Sequence, residues 1–211
     1  MPSIDRFFDE IDGNRSRRAR ELSEIKTKFS DSINADPMGI GSKAVVVLTY
    51  SHWEGFYNDC VKTYIEFLKE RGGRIRDSDW MMLSGAFLSE FQSLQNKNHS
   101  FEARSIFINK MKDIIESGFD IFSVEVVLAR SNLNFAKLSE NYKILDFDLQ
   151  PFQRHRIKLD KELVQWRHQV AHGDQPDLSA LDIGQHINLT SNLLLLVADR
   201  FQQGILDRLP P

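Results

Sequence analysis

The chain has 211 residues, 41% of them hydrophobic and 27% charged, which suits one globular domain with a sizeable core. A formal net charge of −3 argues against non-specific nucleic-acid binding by the whole surface, although it leaves room for a local basic site. The one cysteine, Cys60, rules out an internal disulfide and fits a reducing cytoplasm. Met1-Pro2-Ser3-Ile4-Asp5 lacks the apolar stretch of a signal peptide, and the longest apolar run, Leu193 to Ala198, is far short of the roughly 20 residues of a membrane span.

In chain order the pattern is helical almost throughout. Residues 4–33 read as a polar, charged helix, suited to lie across a bundle or to reach a second subunit. Asn34-Ala35-Asp36-Pro37 breaks it, because Pro37 disfavours helical backbone at Asp36. A long helix is predicted from about Ser42 to Arg71. It carries Val46, Tyr50, Trp53, Tyr57, Cys60, Tyr64 and Phe67 at spacings of three and four, and Gly72-Gly73 ends it. Val45-Val46-Val47 is β-branched but lies inside this helical pattern.

Asp77 or Ser78 is the expected cap of one further helix bearing Met81, Met82, Phe87, Leu88 and Phe91. A polar gap at Asn96-Lys97-Asn98-His99 precedes a helical or mixed segment over 101–116. The stretch 119–150 reads as irregular around Ser131-Asn132-Leu133-Asn134, then a short helix, then a turn at Asp146-Phe147-Asp148. Pro151 suits the first turn of a helix running to Gly173. Asp174-Gln175-Pro176-Asp177 reads as a loop, and Ser179 or Asp182 starts the last long helix. Together these elements predict an all-α, antiparallel helical bundle. It forms one domain over 1–211, with 1–36 an additional N-terminal helical extension and 40–207 the core bundle.

The chemistry concentrates in Trp166-Arg167-His168-Gln169-Val170-Ala171-His172-Gly173. Leu163, Trp166 and Val170 form the predicted buried stripe of this helix. Arg167 and His172 are about 7.5 Å apart along its axis and roughly 140° around it, so both can border one cleft without touching. His168 and His172 have a metal-ligand spacing, but the glutamate that follows the first histidine in zinc proteases is missing, and no metal or cofactor is assigned. Ahead of the motif stand Arg154, Arg156, Lys158 and Lys161. Arg15, Arg17, Arg18 and Arg20 form a second basic cluster. Each is either a solvated helix face or a local basic contact surface.

In the long helix, Val47, Ser51, Glu54, Asn58, Val61 and Ile65 share one stripe with apolar ends and a polar middle. A buried carboxylate needs a partner. Arg167 is the attractive one for Glu54, whether that pairing orients the arginine or is a plain salt bridge; Asn58 is a weaker supporting residue. His52 points about 200° away from Glu54 and suits packing or the surface. Trp53, Tyr57 and Tyr64 read as core or dimer interface.

The motif resembles that of the HEPN superfamily, whose signature is an arginine, four to six residues and a histidine near the end of a late helix, often followed by glycine. His168 supplies the polar residue usual after the arginine. Ser51-His52-Trp53-Glu54-Gly55-Phe56-Tyr57 is similar to an early helix of a prokaryotic subgroup, in which a His-x-Glu-Gly-like stretch faces the motif helix. The resemblance covers residues 40–207. It implies a metal-independent endoribonuclease of the toxin–antitoxin, anti-phage defence or RNA-processing kind, acting as a homodimer with a composite site. Arg167 and His172 would be catalytic, with His168, Glu54 and Asn58 in support and Arg154, Arg156, Lys158 and Lys161 guiding RNA. A non-catalytic HEPN-like module that binds RNA, nucleotide or a protein partner is the alternative. Some HEPN toxins carry, two residues after the motif histidine, a tyrosine that an antitoxin modifies. Here that position is Asp174, which argues against that neutralisation and leaves open a protein antitoxin that binds over the site.

Overall fold

Helix α2 (Ile40–Arg71) buries most of its circumference, leaving one exposed strip at Leu48, Ser51, Lys62, Glu66 and Glu70, and a helix covered on so many sides lies at the centre of a fold. Trp53, Phe56, Tyr57, Cys60 and Tyr64 are fully buried along it. In the computed structural model, which describes residues 3–208, α2 packs against α1 (Ile4–Ala35), α9 (Ile183–Leu206) and the helical stretch 156–171. Met1-Pro2 and Leu209-Pro210-Pro211 lie outside the described residues. The contacts of Asn14 with Asp59 and of Glu10 with Thr63 set α1 antiparallel to α2, while Thr49 meets His186 and Tyr64 meets Phe201, so α9 runs parallel to α2. The bundle is all-α, and no helix among the described residues is long and apolar enough to cross a membrane.

The polar first helix lies along the bundle and shares its core. Phe7, Ile11, Leu22, Ile25 and Ile33 are buried. Between Ile11 and Leu22 the core-facing positions belong to Asn14 and Arg18, which reach Asp59 of α2 at 2.8 and 2.7 Å. The stripe is thus continuous at helical spacing, with its middle turn ionic rather than apolar.

The single helix expected from Asp77 or Ser78 through Phe91 is instead broken into 3-10 turns (Ile75–Asp77 and Trp80–Met82), α3 (Leu83–Ala86) and α4 (Leu88–Asn96). Two features explain this. Asp79 pairs with Arg208 instead of capping a helix. The ring of Phe122 lies against Gly85, leaving no room for a Cβ there, and the Ser123 amide donates to the Gly85 carbonyl (3.0 Å). The turn at Phe87 brings its ring against Phe91 and Phe107, the latter on α5 (Phe101–Glu116), at 6.0 and 5.6 Å.

After two more 3-10 turns, α6 (Phe135–Leu145) starts at an Asn134 cap and ends at Asp146 in the left-handed region (φ 55°). The stretch from Pro151 is 3-10 at first (Gln150–His155). It then continues as α7 (Arg156–Lys158), a π-helical segment (Leu159–Gln165) and α8 (Trp166–Ala171); residues 156–171 are the motif helix. Asp182 caps α9, its side chain accepting from the Gln185 amide at 2.9 Å.

Candidate active site

Asn58 and its neighbours on α2 find their partners in an irregular chain segment, 127–133, rather than in another helix. The Tyr57 hydroxyl donates to the Val127 carbonyl (3.0 Å), as does the Asn141 amide (2.7 Å). Asn58 clasps Ala129, accepting from its N–H at 2.8 Å and donating to its carbonyl at 3.2 Å. The Trp53 indole donates to the Leu133 carbonyl, and the Leu133 amide donates to the Tyr50 hydroxyl, both at 2.9 Å. Unpaired backbone in a protein interior is costly, so these side chains fix the path of a segment that has no regular structure of its own. At its apex, exposed Ser131 adopts φ 64°.

Arg167 docks on that apex. Its guanidinium donates to the Ser131 carbonyl (3.2 Å) and sits 4.5 Å above the centroid of the Tyr50 ring. Both partners are uncharged. A π-helical turn immediately precedes it, and such turns recur at functional sites. Leu163 and Trp166 are buried on this helix, and Val170 is half-buried. Beneath Trp166 lies the buried His186, ring centroids 5.9 Å apart. His186 shares a 2.8 Å hydrogen bond with Thr49 Oγ1 and lies 4.0 Å from the Glu162 carboxylate, whose pKa it holds below the ordinary value.

Glu54 is half-buried in the same neighbourhood and acts on Arg167 at longer range than a hydrogen bond, because the guanidinium is engaged with Ser131. Burial pushes the Glu54 carboxyl upward; Arg167, the Ser131 amide and the Tyr50 hydroxyl oppose that shift. Its Oε1 is buried without a hydrogen-bond partner. Tyr50 is pushed up to about 12, first by burial and further by the Glu54 charge. Sequence reasoning placed Tyr50 in the core and did not single it out. Its position four residues before Glu54, on the same helical face, was the available signal. Ser131 and His186 carried no comparable signal.

Gly173 explains where His172 stands. With φ 82°, Gly173 donates to the Val170 carbonyl (3.2 Å), while the Asp174 amide donates to the Gln169 carbonyl (2.9 Å). This is the Schellman closure, which needs a left-handed residue just past the helix end. His172 therefore closes α8 itself and is exposed, with its ring centroid 4.3 Å from that of His168. Arg167 faces α2 and the loop, whereas His168 and His172 pair at the open end of the helix.

The His52-x-Glu54-Gly55 stretch divides between two faces of α2. Glu54 turns toward Arg167. His52 and Gly55 turn toward α1, where a Cβ on Gly55 would stand 3.0 Å from the Arg18 guanidinium. His52 lies 3.7 Å from Glu21, and burial holds its pKa below the ordinary histidine value. In the first basic cluster, Arg18 is nearly buried on Asp59, and Arg15 and Arg17 pair with Asp12 and Glu21. In the second, Arg154 contacts His155, and Arg156 stands 5.4 Å over the Phe135 ring at the start of α6. Lys158 lies near Glu162, and Lys161 near Glu162 and Asp177. A hollow of about 410 Å³ lies elsewhere, between Leu68, Gly73, Phe119 and Arg208, with Arg208 already paired to Asp79.

The model of the RiboL-PSP-HEPN family matches residues 14–203. The chain therefore belongs to this family and is a member of the HEPN superfamily. No curated protein and no solved structure matches it. Membership of a HEPN family points to an RNA-related or nuclease function.

Proposed function

We propose that the protein is a metal-independent endoribonuclease of the cytoplasm that works as a homodimer. The observation that carries this reading is the state of Arg167: a half-buried arginine held by a carbonyl and an aromatic face, on the same short helix as an exposed histidine pair, with no carboxylate consuming its donors. A guanidinium placed so can bind a phosphate through two parallel donors and stabilise charge on a phosphorane-like transition state. Histidine exchanges protons near neutral pH.

The reaction needs no cofactor. The RNA 2′-oxygen attacks the adjacent phosphorus while one His172 takes its proton. The bond from phosphorus to the 5′-oxygen breaks as a second His172 protonates that oxygen. The products are a 2′,3′-cyclic phosphate and a 5′-hydroxyl. One chain supplies one His172, so acid and base roles call for two chains. His168 supports His172 through ring contact, Glu54 acts on Arg167 through its charge, and Asn58 acts on it through the loop. A toxin–antitoxin or anti-phage role fits, with a protein antitoxin or defence partner binding over the exposed helix end.

The test is incubation of the pure protein with mixed RNA in EDTA. Cleavage is expected, with cyclic phosphate ends, and Arg167→Ala and His172→Ala should each lower the rate by roughly 100-fold or more. Either variant cutting at the wild-type rate overturns the reading. Stable RNA binding without cleavage by the wild type leaves the non-catalytic module.

A further inference from the structure

Ser131 offers its carbonyl to Arg167, and the residues on either side of it, Arg130 and Asn132, face a different space. With Asn134, Ala136, Lys137 and Glu140 they line a hollow of about 290 Å³ at the start of α6. Asn134 is committed to capping α6, its side chain accepting from the Lys137 amide at 2.8 Å. Asn132 is exposed, so its amide is open to a ligand. Arg130 and Lys137 pair only with surface carboxylates, Glu125 at 3.3 Å and Glu140 at 3.5 Å. Exposed pairs of this kind contribute little and exchange readily for a phosphate. Arg156, over the Phe135 ring, adds a third cation at the same helix start.

We propose that this hollow is the nucleotide subsite of the ribonuclease site: Arg130 and Lys137 take phosphates of single-stranded RNA, and Asn132 hydrogen-bonds the edge of a splayed base. The inference rests on the ribonuclease reading for its location, since one residue, Ser131, separates the subsite from Arg167. Two features favour a single strand over a duplex, and a third favours binding of either. The hollow has the volume for about one nucleoside. Its polar side chains are donors and acceptors of the kind that read unstacked bases. The segment is pinned to α2 through Ala129 and Leu133, so binding loses little to ordering of the loop.

The experiment uses fluorescein-labelled single-stranded RNA of mixed sequence, with binding read by anisotropy in EDTA over a range of salt. The protein carries His172→Ala, so the probe is not consumed. Adding Arg130→Gln and Lys137→Gln together should weaken binding about tenfold and reduce the salt slope by about 0.7 for each lost phosphate contact. Asn132→Ala should weaken it about threefold with the slope unchanged, because no ion is exchanged at that contact. Lys110→Gln with Lys112→Gln on α5, which packs on α4 and the turn after α2, serves as the control and should bind as the parent does. Parent-like binding by the loop variants, or no RNA binding by the parent, overturns the subsite. Loop-dependent binding by a wild type that never cuts RNA overturns the nuclease reading alone and keeps the subsite. Melting curves of each variant confirm that the fold is unchanged.

Discussion

The two faces of α2 carry similar residues to different ends. Toward α1, Asp59 takes a nearly buried guanidinium from Arg18 and an amide from Asn14, and Gly55 leaves room for them. Toward the loop and the motif helix, Tyr50 and Asn58 secure a chain segment, Arg167 rests on neutral groups, and Glu54 keeps an unpartnered oxygen. The first face is a closed ion pair whose charges satisfy each other. The second holds a cation and a carboxylate near one another without joining them. That arrangement leaves the guanidinium donors available to an incoming anion, which a closed pair would not.

Exchanging effects between the faces tests this contrast. The largest effect is expected from Arg167→Lys. Lysine lacks the planar fork, so RNA cleavage should fall by about 100-fold while stability changes by less than about 1 kcal/mol, since the side chain sits near the surface. Asp59→Ala should do the reverse. It leaves the Arg18 guanidinium without its carboxylate and should cost about 2 kcal/mol, a fall of several degrees in Tm, with the specific rate of the folded protein kept. Initial rates and thermal unfolding on the same samples decide. An Asp59 variant that loses rate before stability would place both faces in the site. Next comes Gly173→Ala. An L-residue in the left-handed cap should cost about 1 kcal/mol and move His172 off the helix end, so stability and rate fall together.

Much of this was legible in the sequence for a physical reason: regular elements announce themselves locally. The apolar periodicity of α2 and α9, the breaks at Pro37 and Gly72, and the Asp182 cap follow from neighbours within a few residues. Gly173 was readable as a helix stop, although its effect of placing His172 at the cap needed the backbone. The site was less legible where partners are distant in the chain. Glu54 and Asn58 showed that a polar notch existed. Nothing in Ser131-Asn132-Leu133 announced that this segment would fill it, because its shape comes from hydrogen bonds to residues 71 to 83 positions away. For the same reason α1 looked too polar for the core: Asn14 and Arg18 read as surface until Asp59 is seen opposite. Asp77 and Ser78 looked like caps, but Asp77 ends the 3-10 turn Ile75–Asp77 and Ser78 closes it, a turn whose start is held by the distant Ser117 carbonyl.

The smallest predicted effect separates the two carboxylates that border the motif helix. Burial raises the Glu54 pKa in the folded protein, so the fold favours its protonated form. That contribution is complete below the unfolded pKa and is lost as pH rises through the folded one, leaving a penalty at neutral pH. Glutamine carries no such penalty, so Glu54→Gln should raise Tm at pH 7 by about 1–2 °C, with the gain vanishing near pH 4. Glu162 is the opposite case: the neighbouring His186 ring lowers its pKa, so its contribution is present at neutral pH and is lost as pH falls through the folded value. Glu162→Gln should therefore lower Tm at pH 7 and converge on the wild type in acid. If Glu54→Gln is both more stable and several-fold slower on RNA, Glu54 is retained for what it does to Arg167. If it is more stable and equally fast, its charge serves neither the fold nor the reaction.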